Sequence, residues 1–190
     1  MATKVSICSN ALLLLGAQSI SSLTEDTPRA RLCAGLFDSV RDDVLRSHFW
    51  NCCIKRVQLS PDVDSPAFDF TYQYTLPSDW VRSIQVGEYG YEVDYKHEGR
   101  KILCSESSLS LVYVYRNEDV STWDVSLIQA MQYAMAAALA YPITQSASQG
   151  QVMEQKLAMY MKRARAIDGQ DDPPETMGDF PLIAARYGSW

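Results

Sequence analysis

The side chains with the capacity for metal, nucleophilic or acid–base chemistry are His48, His97, five cysteines and 23 carboxylates. Neither histidine has a His or Cys partner at the spacing of a zinc site. Cys52 and Cys53 are adjacent, so on a strand they would point to opposite faces; with Cys8, Cys33 and Cys104 they read as small apolar core residues. A Cys–His nucleophilic pair would need a proximity that no spacing supplies. There is no phosphate loop, dinucleotide fingerprint or G-x-S-x-G elbow. Nothing in the spacing sets two carboxylates apart as an acid–base pair. The sequence therefore predicts no catalytic, metal or cofactor-binding residue, and no cofactor.

Residues suited to contact are easier to find. Seven of the eleven tyrosines, Tyr72, Tyr74, Tyr89, Tyr91, Tyr95, Tyr113 and Tyr115, lie in one middle stretch. Two readings stand for them: packing of a thin sheet with hydroxyls at its rim, or a protein interface. A stacking surface for single-stranded nucleic acid would need interleaved cations, and the neighbours are Glu88, Glu92 and Asp94. Lys156, Lys162, Arg163 and Arg165 form a basic cluster beside Glu154. Near the end of a helix they would complement its dipole, or they meet an acidic neighbouring subunit or DNA. Finally, Phe180, Leu182, Ile183, Tyr187 and Trp190 are apolar residues that a free terminus has no reason to hold. They are expected to dock, on the chain's own core or on another chain.

Seventeen basic against 23 acidic residues give a net charge of −6, which disfavours wrapping nucleic acid with an overall basic face. A length of 190 residues suits one ordinary domain able to bury a core unaided. The longest apolar runs, 11–15 and 134–141, are too short for a bilayer span, so a soluble protein is expected. An odd number of cysteines behind a start without a charged, apolar leader fits a reduced cytosol.

The periodicity predicts the elements that carry these residues. Thr3 caps a helix over residues 3–16, closed by Gly16, and Thr27-Pro28 opens a second helix reaching His48. Cys33, Phe37, Val40, Val44 and His48 form its apolar stripe, with Asp42 and Arg46 pairing on the opposite face. The period then shortens to two, giving five or six strands between Cys52 and Tyr115. Ser121 and Asp124 form a capping-box-like start to a third helix, which runs from Trp123 to Tyr141 and is ended by Pro142. A fourth covers 147–168. The expected fold is α+β: a four-helix bundle with an antiparallel β insertion between helices two and three. Its parts are a helical bundle of residues 1–50 and 117–168, a β lobe of 51–116 and an extended C-terminal arm of 169–190.

Several blocks, in order, resemble the tail tubular protein A-like head-to-tail adaptors of tailed, mainly short-tailed, bacteriophages. They are Ile7 to Leu12 with Leu15-Gly16-Ala17, Ile20 to Leu23, Arg41 to Arg46 running into Phe49-Trp50-Asn51, and Ile54-Lys55-Arg56. Later come Tyr74 to Trp80, Glu98 to Leu103, and Leu139 to Ser148. The resemblance covers the chain to about Glu175, and the last residues match least. It implies a structural virion protein, made in the host cytoplasm, that forms a ring of its own copies, expected to be a dodecamer. That ring would join the portal protein to the tail nozzle protein around the channel through which genome DNA passes without specific binding. It implies no enzyme and no membrane contact; the apolar arm residues Phe180, Leu182, Ile183, Tyr187 and Trp190, beyond the matched blocks, are expected to contact the portal or a neighbour. An acidic lumen would repel phosphates and let the genome slide. Two competing readings are a tail accessory protein that degrades the cell wall, which needs two carboxylates about a glycosidic bond, and a DNA-binding helical regulator, which the acidic balance disfavours.

Overall fold

The computed structural model describes residues 2–88 and 93–171. The first helix, α1, spans Lys4–Leu14. The Thr3 hydroxyl accepts from the Ser6 N–H at 3.0 Å and the Ser6 hydroxyl accepts from the Thr3 N–H at 2.9 Å, a reciprocal cap that satisfies two otherwise orphaned donors. Gly16, at φ +74°, turns the chain out of the helix in a conformation a side chain would strain. In α2, Pro28–Ser47, Thr27 caps the Ala30 N–H and Pro28 takes the first turn, as the sequence predicts.

Two expected boundaries fall elsewhere. The third helix, α3, spans Val125–Thr144 and is opened by Asp124, whose carboxylate accepts from the Leu127 N–H. Ser121 belongs instead to a preceding single 3-10 turn, Val120–Thr122, where its hydroxyl donates to Asp119 at 2.6 Å. Pro142 does not end α3. It sits in the last turn, where its missing N–H removes one helical bond, and the stop comes at Gln145, in the left-handed region at φ +53°. The fourth helix, α4, spans Ala147–Asp171.

The strands β1 (Ile54–Leu59), β2 (Tyr72–Thr75), β3 (Trp80–Val86), β4 (Tyr95–Glu98), β5 (Lys101–Cys104) and β6 (Leu109–Tyr115) form two three-stranded antiparallel sheets, ordered β1-β6-β3 and β2-β5-β4. β1 pairs β6 without interruption from Ile54↔Val114 to Leu59↔Leu109, whereas β3 follows β6 with shifts after Trp80 and Ser83. Leu109, Leu111 and Tyr113 of β6 point into a core shared with Tyr74, Ile102 and Cys104 of the second sheet and with Leu76, just past β2. Val114, on the alternate face, joins the helical core with Val81. The architecture is thus a helical layer, a sheet and a second sheet, with two cores.

The helices are not a four-helix bundle carrying one insertion, and that expectation is corrected. α3 is a hub, burying Leu127, Ala130, Met131, Ala134, Met135, Ala136, Leu139 and Ala140, and α1, α2 and α4 each pack against it. α1 and α2 barely touch, and Val81 and Val114 of the first sheet pack into the helical core, with α2 meeting β3 and β6. α4 shows why the bundle does not close. Of its predicted stripe only Met153 and Ala164 are fully buried, Leu157, Tyr160 and Met161 are partly covered, and Ile167 is 42% exposed, so α4 leans mainly on α3.

Candidate functional site

An apolar indentation lies where α4 diverges from the end of α2. A groove of about 550 Å³ runs between them, with Val44, Ala134, Leu157, Ala158 and Met161 along its floor and Asp43, Glu154, Lys162 and Arg165 at its rim. Arg165 spans it, its guanidinium donating to the Ser47 carbonyl at 3.1 Å. Lys162 and Arg165 therefore share the groove. Lys156 and Arg163 lie seven residues apart, nearly in line along the helix, on a different exposed face. The predicted basic cluster is thus two pairs. Neither pair complements the dipole, because α4 continues to Asp171 and its last turn holds no basic residue.

A second indentation, of about 450 Å³, lies between α1 and α3 and is lined by Asn10, Leu13, Leu14, Gln129, Gln132 and Tyr133. Leu13 is 58% exposed beside it. On α3, Gln129 and Gln132 lie more than a third of a turn from Ala134, so the two indentations use different sides of the hub. The helical layer thus presents two non-equivalent apolar-bearing surfaces.

Between the helices and the strands is a charged joint that the sequence reading missed. Arg41 is only 4% exposed, and its guanidinium meets Asp38 at 2.9 Å and Asp42 at 2.8 Å, with Glu118 at 3.9 Å. Asp42 also binds Arg116 at 2.9 Å, which ties α2 to the end of β6. Asp42 does not pair with Arg46, which instead donates to the Val81 carbonyl at 2.8 Å. The signal was present: Arg41 falls on the apolar side of α2 beside Phe37, Val44 and Leu45, where an isolated cation demands a partner. A second joint centres on Asp79, which accepts from Lys55 at 2.6 Å and from the Tyr113 hydroxyl at 3.0 Å. Burial opposes ionisation of Asp79, but these two donors outweigh it and hold the carboxyl below its ordinary range. Burial together with that carboxylate pushes the Tyr113 phenol up to about 12.

The reactive side chains are arranged in ways spacing did not show. Cys52 and Cys53 lie in a 3-10 turn, Asn51–Cys53, and not on a strand, so their sulfurs converge to 3.7 Å instead of facing apart. The Cys53 thiol lowers the pKa of Cys52, which is partly exposed, while Cys53 is buried and raised. His97 on β4 has its Nε2 3.3 Å from the Ser83 hydroxyl on β3, and Trp80 Nε1 donates to the same hydroxyl at 3.1 Å. Burial lowers the pKa of His97. A Ser–His contact alone is half of a nucleophilic apparatus; it also requires a group that orients the imidazole and donors for an oxyanion. The ring nitrogen contact and the stacking of His97 on Trp80, centroids 5.8 Å apart, fasten the edge of the second sheet to the first. Among the described residues no three His, Cys, Asp or Glu side chains converge as metal ligands, and no helix is long and apolar enough to cross a membrane.

Of the tyrosines, Tyr74 and Tyr113 are core residues, Tyr72 and Tyr115 are partly buried and Tyr95 is 41% exposed, which favours packing over a continuous aromatic surface. Tyr89 and Tyr91 lie outside the described residues, as do Phe180, Leu182, Ile183, Tyr187 and Trp190. No family model and no curated protein matches the chain.

Proposed function

We propose that this protein is a head-to-tail adaptor of a bacteriophage: a structural virion component whose copies form a ring, a dodecamer by resemblance, between the portal and the tail nozzle. The supporting observation is the pair of unlike surfaces on the helical layer, one on α1 and α3 and the other on α2 and α4. A closed ring of identical copies needs heterologous contacts, in which one patch meets a different patch on the next copy. Two patches on different sides of a central helix meet that requirement. The resembling blocks add support because they occupy joints of the fold. Arg41 and Asp42 build the ionic tie to β6, and the segment Tyr74 to Trp80 carries the chain from the second sheet to the first through Asp79. In this reading the C-terminal apolar residues contact the portal or a neighbour, the acidic net charge keeps the genome moving through the lumen, and the protein catalyses no reaction.

The test is electron microscopy of the purified protein mixed with its cognate portal rings. An additional ring of density on the tail-facing side of the portal is the expected result. Portal rings that remain bare at micromolar adaptor, with the protein monomeric by mass photometry, refute the proposal. A zone of clearing on peptidoglycan would favour the muralytic alternative, and a gel shift at physiological salt would favour the DNA-binding one.

A further inference from the structure

We propose that the groove between α2 and α4 is the seat of the chain's own C-terminal segment, with Phe180, Leu182 and Ile183 laid over Val44, Ala134, Leu157 and Met161. This inference does not depend on the adaptor reading. It concerns the isolated chain; in a ring the segment leaves the groove, which then becomes the patch that meets a neighbouring copy, and its apolar residues pass to the portal or that neighbour.

Three observations carry it. The first is reach. Leu157 lies fourteen residues before Asp171, about 21 Å back along α4 at 1.5 Å per residue. The eight residues 172–179 span up to about 26 Å when extended, so a reversal at Pro173-Pro174, which cannot continue a helix, returns Phe180 to the groove floor. The second is composition. The floor is apolar and open, and the segment holds apolar residues that require cover. The third is the order of charges. Asp172, Glu175 and Asp179 precede the apolar residues and Arg186 follows them, while along α4 Lys162 and Arg165 edge the end of the groove nearest Asp171 and Glu154 edges the far end, with Asp43 on the α2 side. A returning, antiparallel segment therefore matches acids to Lys162 and Arg165, and Arg186 to Glu154. The opposite direction would set like charges together. Attachment to α4 raises the effective concentration of the segment at this groove to the millimolar range, so modest intrinsic affinity suffices.

Hydrogen exchange on the full-length monomer tests this, read over peptides covering 41–50 and 154–165. The variant carrying Phe180→Asp, Leu182→Asp and Ile183→Asp should exchange about tenfold faster there, and Ala158→Arg, on the exposed groove floor, should do the same. Arg186→Glu should produce a smaller acceleration that Glu154→Arg reverses. Unchanged exchange in the triple variant overturns the proposal, provided circular dichroism shows the fold intact. Ala158→Arg then serves as the independent check from the groove side. Protection that appears only as concentration rises, together with a dimer by light scattering, overturns it in favour of a second copy's segment. None of these readouts involves the portal, so failure here and failure of the adaptor reading are separate results.

Discussion

Replacing Arg41 by alanine should destabilise the fold by about 2–4 kcal/mol, mostly through packing and only secondarily through charge. The Arg41 side chain is 4% exposed, so truncation removes a long buried stem, comparable to a large-to-Ala core change of about 2–5 kcal/mol. The ionic part is small because the partners are not stranded. Asp38 is 68% exposed and keeps Lys4 at 3.6 Å, while Asp42 is 33% exposed and keeps Arg116 at 2.9 Å. Solvent screening limits that share to about 1 kcal/mol or less. In a 190-residue protein each kcal/mol moves Tm by about 2–4 °C, so Arg41→Ala should lower Tm by about 4–16 °C. Arg41→Met, which retains most of the volume, should lose about half as much. Calorimetry and urea unfolding of the monomer measure both. A fall of less than about 2 °C for alanine would show that the joint is not structural. An equal loss for methionine and alanine would show that charge and not packing dominates.

Three further outcomes are expected. Asp79 has a depressed pKa in the folded state, so its contribution to stability is complete above the ordinary carboxylate range and is lost as pH falls through the lower folded value; wild type should therefore lose more Tm between pH 6 and pH 3 (roughly the range spanning the ordinary carboxylate pKa) than Asp79→Asn, and equal slopes would refute the assignment. Gln145 ends α3 at φ +53°, where a side chain costs about 1 kcal/mol, so Gln145→Gly should raise Tm by a few degrees, as differential scanning calorimetry would show. Under limiting iodoacetamide at neutral pH, mass spectrometry should find Cys52 alkylated before Cys8, Cys33, Cys53 and Cys104, and Cys53→Ala should slow it; preferential labelling of any buried cysteine would contradict the S–H···S pairing.

Local chemistry was legible and long-range arrangement was not. Thr3, Thr27-Pro28 and Gly16 signal helix ends through side-chain and backbone requirements confined to one turn, and the structure places them as read. Pro142 misled because proline ends a helix only when the loss of its N–H is not tolerated, and in a final turn it is. Ser121 misled because its short side chain serves a 3-10 turn as readily as an α-helix cap. The bundle failed for a different reason. A stripe such as Met153, Leu157 and Met161 states that a face is apolar but not that two partners will cover it. The groove is what remains when one partner is missing. The contacts of Arg41 with Glu118, and of Ser83 with His97, depend on topology and left no periodic trace, although the position of Arg41 on an apolar face did call for a counter-ion.

β6 is the centre of its sheet, and its two faces belong to different cores: Leu109, Leu111 and Tyr113 to the one between the sheets, Val114 to the helical one. Inserting or deleting a single residue within it would interchange those allegiances, sending Tyr113 toward α2 and Val114 toward the second sheet. The helical layer and the outer sheet are therefore held in phase by one strand. Length variation can accumulate in the connections on either side of β6, while the strand itself tolerates only changes that preserve parity.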